Sequence, residues 1–108
     1  MNRLTIIGNL TGDPELRTTT SGKEVCGFNV AVNRRNGEGA DFFKVSAWGE
    51  RARVCSKYLA KGKKVCVMGA VSVRAYTNNR GEAAASLEVM ADEVEFLSPR
   101  DSSDELPD

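Results

Sequence analysis

The chain of 108 residues can form one domain but no second core, and its 41% hydrophobic and 28% charged residues exclude wholesale disorder. Its purely aliphatic runs, such as Ile6-Ile7, are far too short for a membrane-spanning helix. It has no histidine, which excludes Ser-His-Asp catalysis, Cys-His catalysis and every metal site with an imidazole ligand. The net charge is zero, but the charges are unevenly distributed. Residues 1–80 contain 14 Lys and Arg against 6 Asp and Glu, whereas residues 81–108 contain 1 Lys or Arg against 9 Asp and Glu. The basic part is therefore suited to binding a polyanion.

Apolar and polar residues alternate at the start of the chain, which predicts a first strand over residues 2–11 whose inner side carries Leu4, Ile6, Gly8 and Leu10. Its apolar stretch is too short for a secretory signal. After polar turns, residues 23–35 form a second predicted strand with Cys26, Phe28, Val30 and Val32 on its inner side. The three cysteines lack C-x-x-C spacing, so we expect free thiols in a reducing compartment, with Cys26 as a small hydrophobe.

Asn36-Gly37 predicts a tight turn before a third strand over about 40–48. The one predicted helix spans residues 50–61, stops at Gly62, and places on one side Val54, Cys55, Tyr58 and Leu59. Two long strands, over about 63–76 and 83–97, flank a hairpin turn. Five strands with a helix between the third and fourth predict an all-β OB-fold, a five-stranded Greek-key barrel, with a generic small β-barrel as the alternative. We expect residues 1–97 to form this domain and residues 98–108 to be a short, acidic, mobile tail.

Alternation in the third and fourth strands separates a core side from a side suited to single-stranded nucleic acid. The predicted inner residues are Phe43, Val45 and Ala47 in the third strand and Val65, Val67, Val71 and Val73 in the fourth. The outer side carries Phe42, Lys44, Ser46 and Trp48, then Arg74 and Tyr76 near Arg80. Exposed aromatic rings stack on bases, and neighbouring cations contact phosphates. In the competing interpretation, Trp48 packs inward against the helix.

Short segments in a specific order carry a further signal. They are Asn2-Arg3 before Gly8-Asn9-Leu10, Asp13-Pro14-Glu15-Leu16-Arg17, Thr20-Ser21-Gly22, Phe28-Asn29-Val30-Ala31-Val32-Asn33-Arg34, Trp48-Gly49, Tyr58-Leu59-Ala60-Lys61-Gly62, Arg74-Ala75-Tyr76-Thr77 and Glu93-Val94-Glu95-Phe96-Leu97. Through them, residues 1–97 resemble the bacterial single-stranded DNA-binding proteins. The resemblance implies a cytoplasmic, nucleoid-associated homotetramer of OB-folds. It would bind and protect single-stranded DNA without sequence preference in replication, recombination and repair, with no cofactor and no catalysis.

The resemblance also assigns residues to the DNA-binding site. Stacking positions fall on Phe42, Trp48 and Tyr76, and phosphate contacts on Arg3, Lys44, Lys61 and Arg74. Arg34 and Arg35 stand on a hairpin where the family carries a further aromatic residue, and they complete the predicted site with Arg80.

The family's acidic tail docks into replication and repair proteins. The corresponding tip here is Asp104, Glu105, Leu106, Pro107 and Asp108, with Asp108 where the family has a terminal aromatic residue, so docking stays open. The residues themselves leave two other functions open: another OB-fold nucleic-acid binder, of primosome or RNA-binding type, or an adaptor oligomer that binds proteins only.

Overall fold

The computed structural model describes residues 1–98. Its elements are β1 (Leu4–Leu10), β2 (Glu15–Thr18), β3 (Glu24–Asn33), β4 (Ala40–Trp48), α1 (Glu50–Tyr58), β5 (Lys64–Thr77) and β6 (Ala83–Phe96). Five strands close into a ring in the order β1-β5-β6-β4-β3, because the end of β1 also pairs with β3. Among the strand pairs of residues 1–98, only β4 and β6 run parallel. This ring, with its helix between β4 and β5, is the predicted OB-fold.

The strand β2 adds a sixth strand that the sequence pattern did not predict. Its four residues are all exposed, so no alternation of buried and exposed positions marks it. Backbone pairing makes it a strand, since Glu15–Thr18 runs antiparallel to Glu24–Gly27 of β3. As a result, the sheet extends beyond β3, and Arg17 comes into line with Val25 and Trp48.

The core fills the inside of the ring largely with small and β-branched side chains, and the predicted inner residues of β1 and β3 other than Gly8 belong to it or pack against it. Its fully buried members include Cys26, Val30, Val45, Ala47, Val65, Val67 and Val89. Two glycines let strands approach closely. A Cβ on Gly8 would overlap the carbonyl oxygen of Ala31, and one on Gly69 would overlap that of Met90.

The outer part of the β5–β6 hairpin extends beyond the core, and this corrects the prediction for Val73. Residues 72–77 are all exposed, and Val73 keeps 67% of its surface in contact with solvent although it alternates in phase with buried valines. The pairing of β5 with β6 also shifts between Met68 and Gly69, which leaves Asp92 as the extra residue of a bulge.

Helix α1 is shorter than predicted and buries a different side. It ends at Tyr58 because Leu59 takes an extended conformation, which brings its side chain into the core. Ala52 and Cys55 face the barrel, whereas the predicted inner residues Val54 and Tyr58 are exposed. The Tyr58 ring instead lies 6.1 Å from the Phe96 ring, centroid to centroid.

The end of β6 is joined to the start of β5. The backbone N–H groups of Leu97 and Ser98 donate to the Lys64 carbonyl oxygen at 2.9 and 3.2 Å, and the Lys64 N–H donates to Ser98 Oγ at 2.6 Å. The predicted tail thus begins with a residue bonded to β5, and residues 99–108 of that prediction lie outside the described residues.

Candidate nucleic-acid interface

One continuous side of the sheet carries the aromatic and cationic residues of β4 and β5, with β6 between them. The register aligns Lys44 with Glu88 and Ser72, and Ser46 with Met90 and Ala70. Partners in adjacent strands project from the same side of a sheet. We call this side the outer face, and define it by Phe42, Lys44, Ser46, Trp48, Ala70, Ser72, Arg74, Tyr76, Ser86, Glu88 and Met90.

The three predicted stacking residues are exposed on this face. Phe42 is 62%, Tyr76 is 46% and Trp48 is 37% accessible to solvent. Phe42 and Trp48 stand six residues apart on β4, about 20 Å at ~3.3 Å per residue. Tyr76 lies on the extended β5–β6 hairpin, paired with Ala84. Rings presented in this way can each accept the face of a base.

Trp48 lies where the outer face meets helix α1. The next residue, Gly49, has a φ of 66°, a conformation that favours glycine, and it turns the chain from β4 into the helix. Its N–H donates to the Glu24 carbonyl oxygen at 2.9 Å, which holds the end of β4 in place. Trp48 also lines an open groove of about 440 Å³ with Val54 and Phe96. The indole therefore borders the helix but stays outside the core.

A carboxylate lies among the cations of the outer face. Arg74 Nη1 is 3.9 Å from Glu88 Oε2, and the Ser86 hydroxyl donates to the same oxygen at 3.4 Å. Glu88 is also the register partner of Lys44. Glu88 and Met90 were not among the predicted site residues because no sides were assigned to the last strand; alternation in β6, anchored on the buried Val89, places both opposite it.

Two further predicted cations lie just before β1 and shortly after helix α1. Arg3 directly precedes β1 and follows Asn2, whose side chain exchanges two hydrogen bonds with the Val71 backbone at 2.7 and 3.1 Å. Lys61 follows the helix, and its N–H donates to Asp13 Oδ1 at 2.9 Å.

Three predicted arginines occupy hairpin ends. Arg34 Nε is 3.1 Å from Asp41 Oδ1 at the base of the β3–β4 hairpin, where Arg35 is also exposed. Arg80 stands in the β5–β6 turn, where its N–H donates to Asn78 Oδ1 at 2.9 Å. The structure thus gathers Phe42, Lys44, Trp48, Arg74 and Tyr76 on one face and leaves these arginines at its margins.

A polar cleft of about 360 Å³ opens between β2, β3 and β4, next to Lys44. Arg17 and Lys44 are among its cationic residues, and Asn29 and Ser46 among its hydrogen-bonding ones. Gly27 lies between Glu15 and Ser46 in the register. Arg17 was not among the predicted site residues, because its place depends on β2.

The cysteines are free and buried. Burial raises the pKa of Cys26, and burial together with the neighbouring Cys26 raises the pKa of Cys55 from 9.0 to about 11. Both thiols are therefore protonated at neutral pH and serve as small apolar side chains.

Within residues 1–98, no three His, Cys, Asp or Glu side chains are placed to hold a metal ion. No helix in that part of the chain is long and apolar enough to cross a membrane. The predicted tail residues Asp104–Asp108 lie outside the described residues.

Comparisons with known proteins agree with a nucleic-acid-binding role for this face. Residues 1–97 match the model of the single-strand binding protein family. The chain is 42% identical over 113 residues to the single-stranded DNA-binding protein of Staphylococcus aureus strain MRSA252, an alignment that covers all of this chain and 72% of that protein. It is 43% identical over 107 residues to the protein of the same name from Halalkalibacterium halodurans, covering 94% of this chain and 64% of the relative. A third relative, single-stranded DNA-binding protein 2 of Listeria monocytogenes, is 40% identical over 108 residues, which cover 95% of this chain and 68% of that protein.

Proposed function

Because the chain belongs to the single-strand binding protein family, we propose that it binds single-stranded DNA and protects it during replication, recombination and repair in the bacterial cytoplasm. As a member of a family of binding proteins, it is not an enzyme. Base stacking and phosphate contacts carry the binding, without recognition of base sequence.

The observation that carries this proposal is the outer face itself. Phe42, Trp48 and Tyr76 expose aromatic rings on the same side of the sheet as Lys44 and Arg74. Stacking tolerates any base, because every base has a π-face, whereas the cations follow the charge common to all nucleotides. A duplex hides the faces of its bases, so the same surface gains much less from double-stranded DNA.

We further propose that the working form is a homotetramer. In the described part of the chain, β1 pairs with β5 along its length but with β3 only at Asn9 and Leu10. The edge of Leu4–Ile7 that faces away from β5 is therefore unpaired, and Ile7 is half exposed. An open strand edge is a template for pairing with another copy of the chain. Pairing at this edge joins two copies, and the resemblance to the family implies two such pairs, so light scattering should give about four times the chain mass of 11.7 kDa.

The test of binding is a titration with oligo-dT, read by the fluorescence of Trp48, the single tryptophan. We expect quenching, tight binding to mixed single strands of equal length, and much weaker binding to the corresponding duplex at moderate salt. Equal affinity for duplex and single strand would refute stacking as the main interaction. Tighter binding to RNA than to DNA of equal length would instead favour an RNA-binding OB-fold, and no binding to either would favour a protein-only adaptor.

A further inference from the structure

The strand β2 forms a free edge of the sheet. It lies at the end of the strand order, and within residues 1–98 it pairs with β3 alone. The Thr19 N–H donates to the Lys23 carbonyl oxygen at 2.8 Å, and such bonds recur at every second residue of an antiparallel strand. The backbone N–H and carbonyl groups of Leu16 and Thr18 therefore point away from β3. An unpaired edge of this kind is a template for a strand of another chain.

Both ends of this edge are held in place. Just before β2, the Asp13 carboxylate accepts a hydrogen bond from the Lys61 N–H at 2.9 Å. Just after β2, the Gly22 N–H donates to the Thr19 carbonyl oxygen at 2.9 Å and closes the turn into β3. All four residues of β2 between these points are exposed. The edge is thus preformed and open to solvent, so a partner strand has little order to impose on it.

The side chains of β2 make this edge complementary to itself. Glu15 and Arg17 project from one side of the strand, and Leu16, which is 42% exposed, projects from the other. Within residues 1–98, neither Glu15 nor Arg17 forms an ion pair. When two β2 strands pair antiparallel about a two-fold axis at Leu16, each Glu15 lies opposite the Arg17 of the other copy.

The backbone and the charges together select that register. The outward-pointing backbone groups belong to alternate residues, so two β2 strands can slide past each other only by two residues at a time. Sliding in one direction places the two Glu15 carboxylates opposite each other, and sliding in the other direction does the same with the two Arg17 side chains. The register centred on Leu16 instead forms two pairs of opposite charge. Both pairs occupy positions without backbone hydrogen bonds, where facing side chains are closest.

We propose that β2 is a docking edge for the β2 strand of a second copy of this chain, in the antiparallel register centred on Leu16. It is distinct from the edge of β1 that we assign to pairing within a tetramer, so it joins one assembled unit to another. The proposal goes beyond the proposed function and does not depend on DNA binding. The strand has only four residues, so the contact is much smaller than a permanent interface, and we expect reversible association that grows with protein concentration.

Exchange of the charges on β2 tests the docking edge without DNA. Light scattering at low salt, from micromolar to millimolar chain concentration, should show the mass of the natural chain rising above that of its smallest unit. Glu15→Arg and Arg17→Glu each place like charges in both pairs and should weaken this association about tenfold. The double variant restores opposite charges and should recover it. Glu38→Arg and Arg35→Glu are the matched controls, since they make the same changes of charge at exposed positions between β3 and β4.

A backbone variant separates strand pairing from attraction between charges alone. Thr18→Pro removes an N–H donor from the free edge and leaves the bonds between β2 and β3 in place, so it should also weaken the association. Thermal unfolding of every variant is measured alongside.

Each contrary result overturns a defined part of the proposal. A constant mass of the natural chain over the whole concentration range would refute the docking edge. A double variant that associates as weakly as the single ones would refute the register, and unchanged association of Thr18→Pro would refute pairing through the backbone. If the β2 variants reduce the mass of the smallest unit, β2 acts inside that unit and does not join separate units. Failure to bind oligo-dT would refute the proposed function and leave the docking edge standing.

Discussion

The carboxylate of Glu88 should weaken DNA binding, because it occupies the cation that a phosphate needs. Its Oε2 lies 3.9 Å from Arg74 Nη1, and its strand places it beside Lys44. A phosphate that reaches Arg74 must therefore displace a negative charge or share the guanidinium with it. Replacing Glu88 with glutamine keeps the shape and the hydrogen bond to Ser86 but removes that charge.

The magnitude follows from the distance and the exposure of the pair. The Arg74 side chain is 66% exposed, so the pair is screened by water. Two unit charges at 3.9 Å then interact by about 1 kcal/mol. Releasing Arg74 from this interaction should tighten binding of single-stranded DNA about fivefold at low salt, since about 1.4 kcal/mol corresponds to a factor of ten. The gain should shrink as salt screens the charges.

The assay is a set of oligo-dT titrations over a range of salt concentrations with the natural chain, Glu88→Gln, Arg74→Ala and the double variant. Arg74→Ala should flatten the slope of log affinity against log salt by about 0.7, the value for one phosphate contact on a single strand. Glu88→Gln should have little effect when Arg74 is already alanine. An equal gain in both backgrounds would show that Glu88 acts on the whole face and not through Arg74. No gain in either background would refute the competition altogether.

Three further perturbations test other features of the structure. If the indole stacks on a base as proposed, Trp48→Ala should weaken binding by about 1–3 kcal/mol, and it should leave the thermal midpoint nearly unchanged because the side chain lies outside the core; a variant that unfolds would instead make Trp48 a core residue. Gly69→Ala should lower the free energy of unfolding in urea by about 1–3 kcal/mol, because its Cβ would overlap the Met90 carbonyl oxygen, whereas Gly12→Ala, in open space, should have little effect; equal stability of the two variants would contradict this reasoning. The pKa of Cys55 is raised in the folded chain from 9.0 to about 11, so its contribution to stability is complete below pH 9 and is lost as the pH rises toward 11. Unfolding measured from pH 8 to 11 should show this decline and a smaller one in Cys55→Ala, and identical pH profiles would exclude Cys55 as its source.

Most of the barrel is readable from the sequence because its strands bury one side and expose the other. Alternation in β1, β3 and β4 placed residues such as Ile6, Phe28 and Val45 inside, and the structure confirms this. The same alternation put Phe42 and Trp48 on the opposite side of β4, where both are exposed. These are local consequences of a period of two residues, so they need no knowledge of the neighbouring strands.

The predictions that were wrong concern positions whose burial depends on the elements packed beside them. Val73 alternates in phase with buried valines, but no element within residues 1–98 covers the outer hairpin, so it is exposed there. On the helix, Val54 and Tyr58 were predicted to share the inner side, yet the helix packs on the barrel through Ala52 and Cys55. The bulge at Asp92 reverses the alternation of β6, and only the pairing with β5 shows where this happens.

The sequence by itself predicted the fold class and the exposed aromatic and cationic residues of β4 and β5, because these follow from residue types and local periodicity, and it indicated the family through a resemblance carried by short segments in order. Only the tertiary structure decided which other side chains join them. Glu88 reaches the cations because β6 lies between β4 and β5, and Arg17 reaches the cleft because β2 pairs with β3. Strand order joins residues that are far apart in the chain through backbone hydrogen bonds, and these bonds leave no mark in the side-chain pattern.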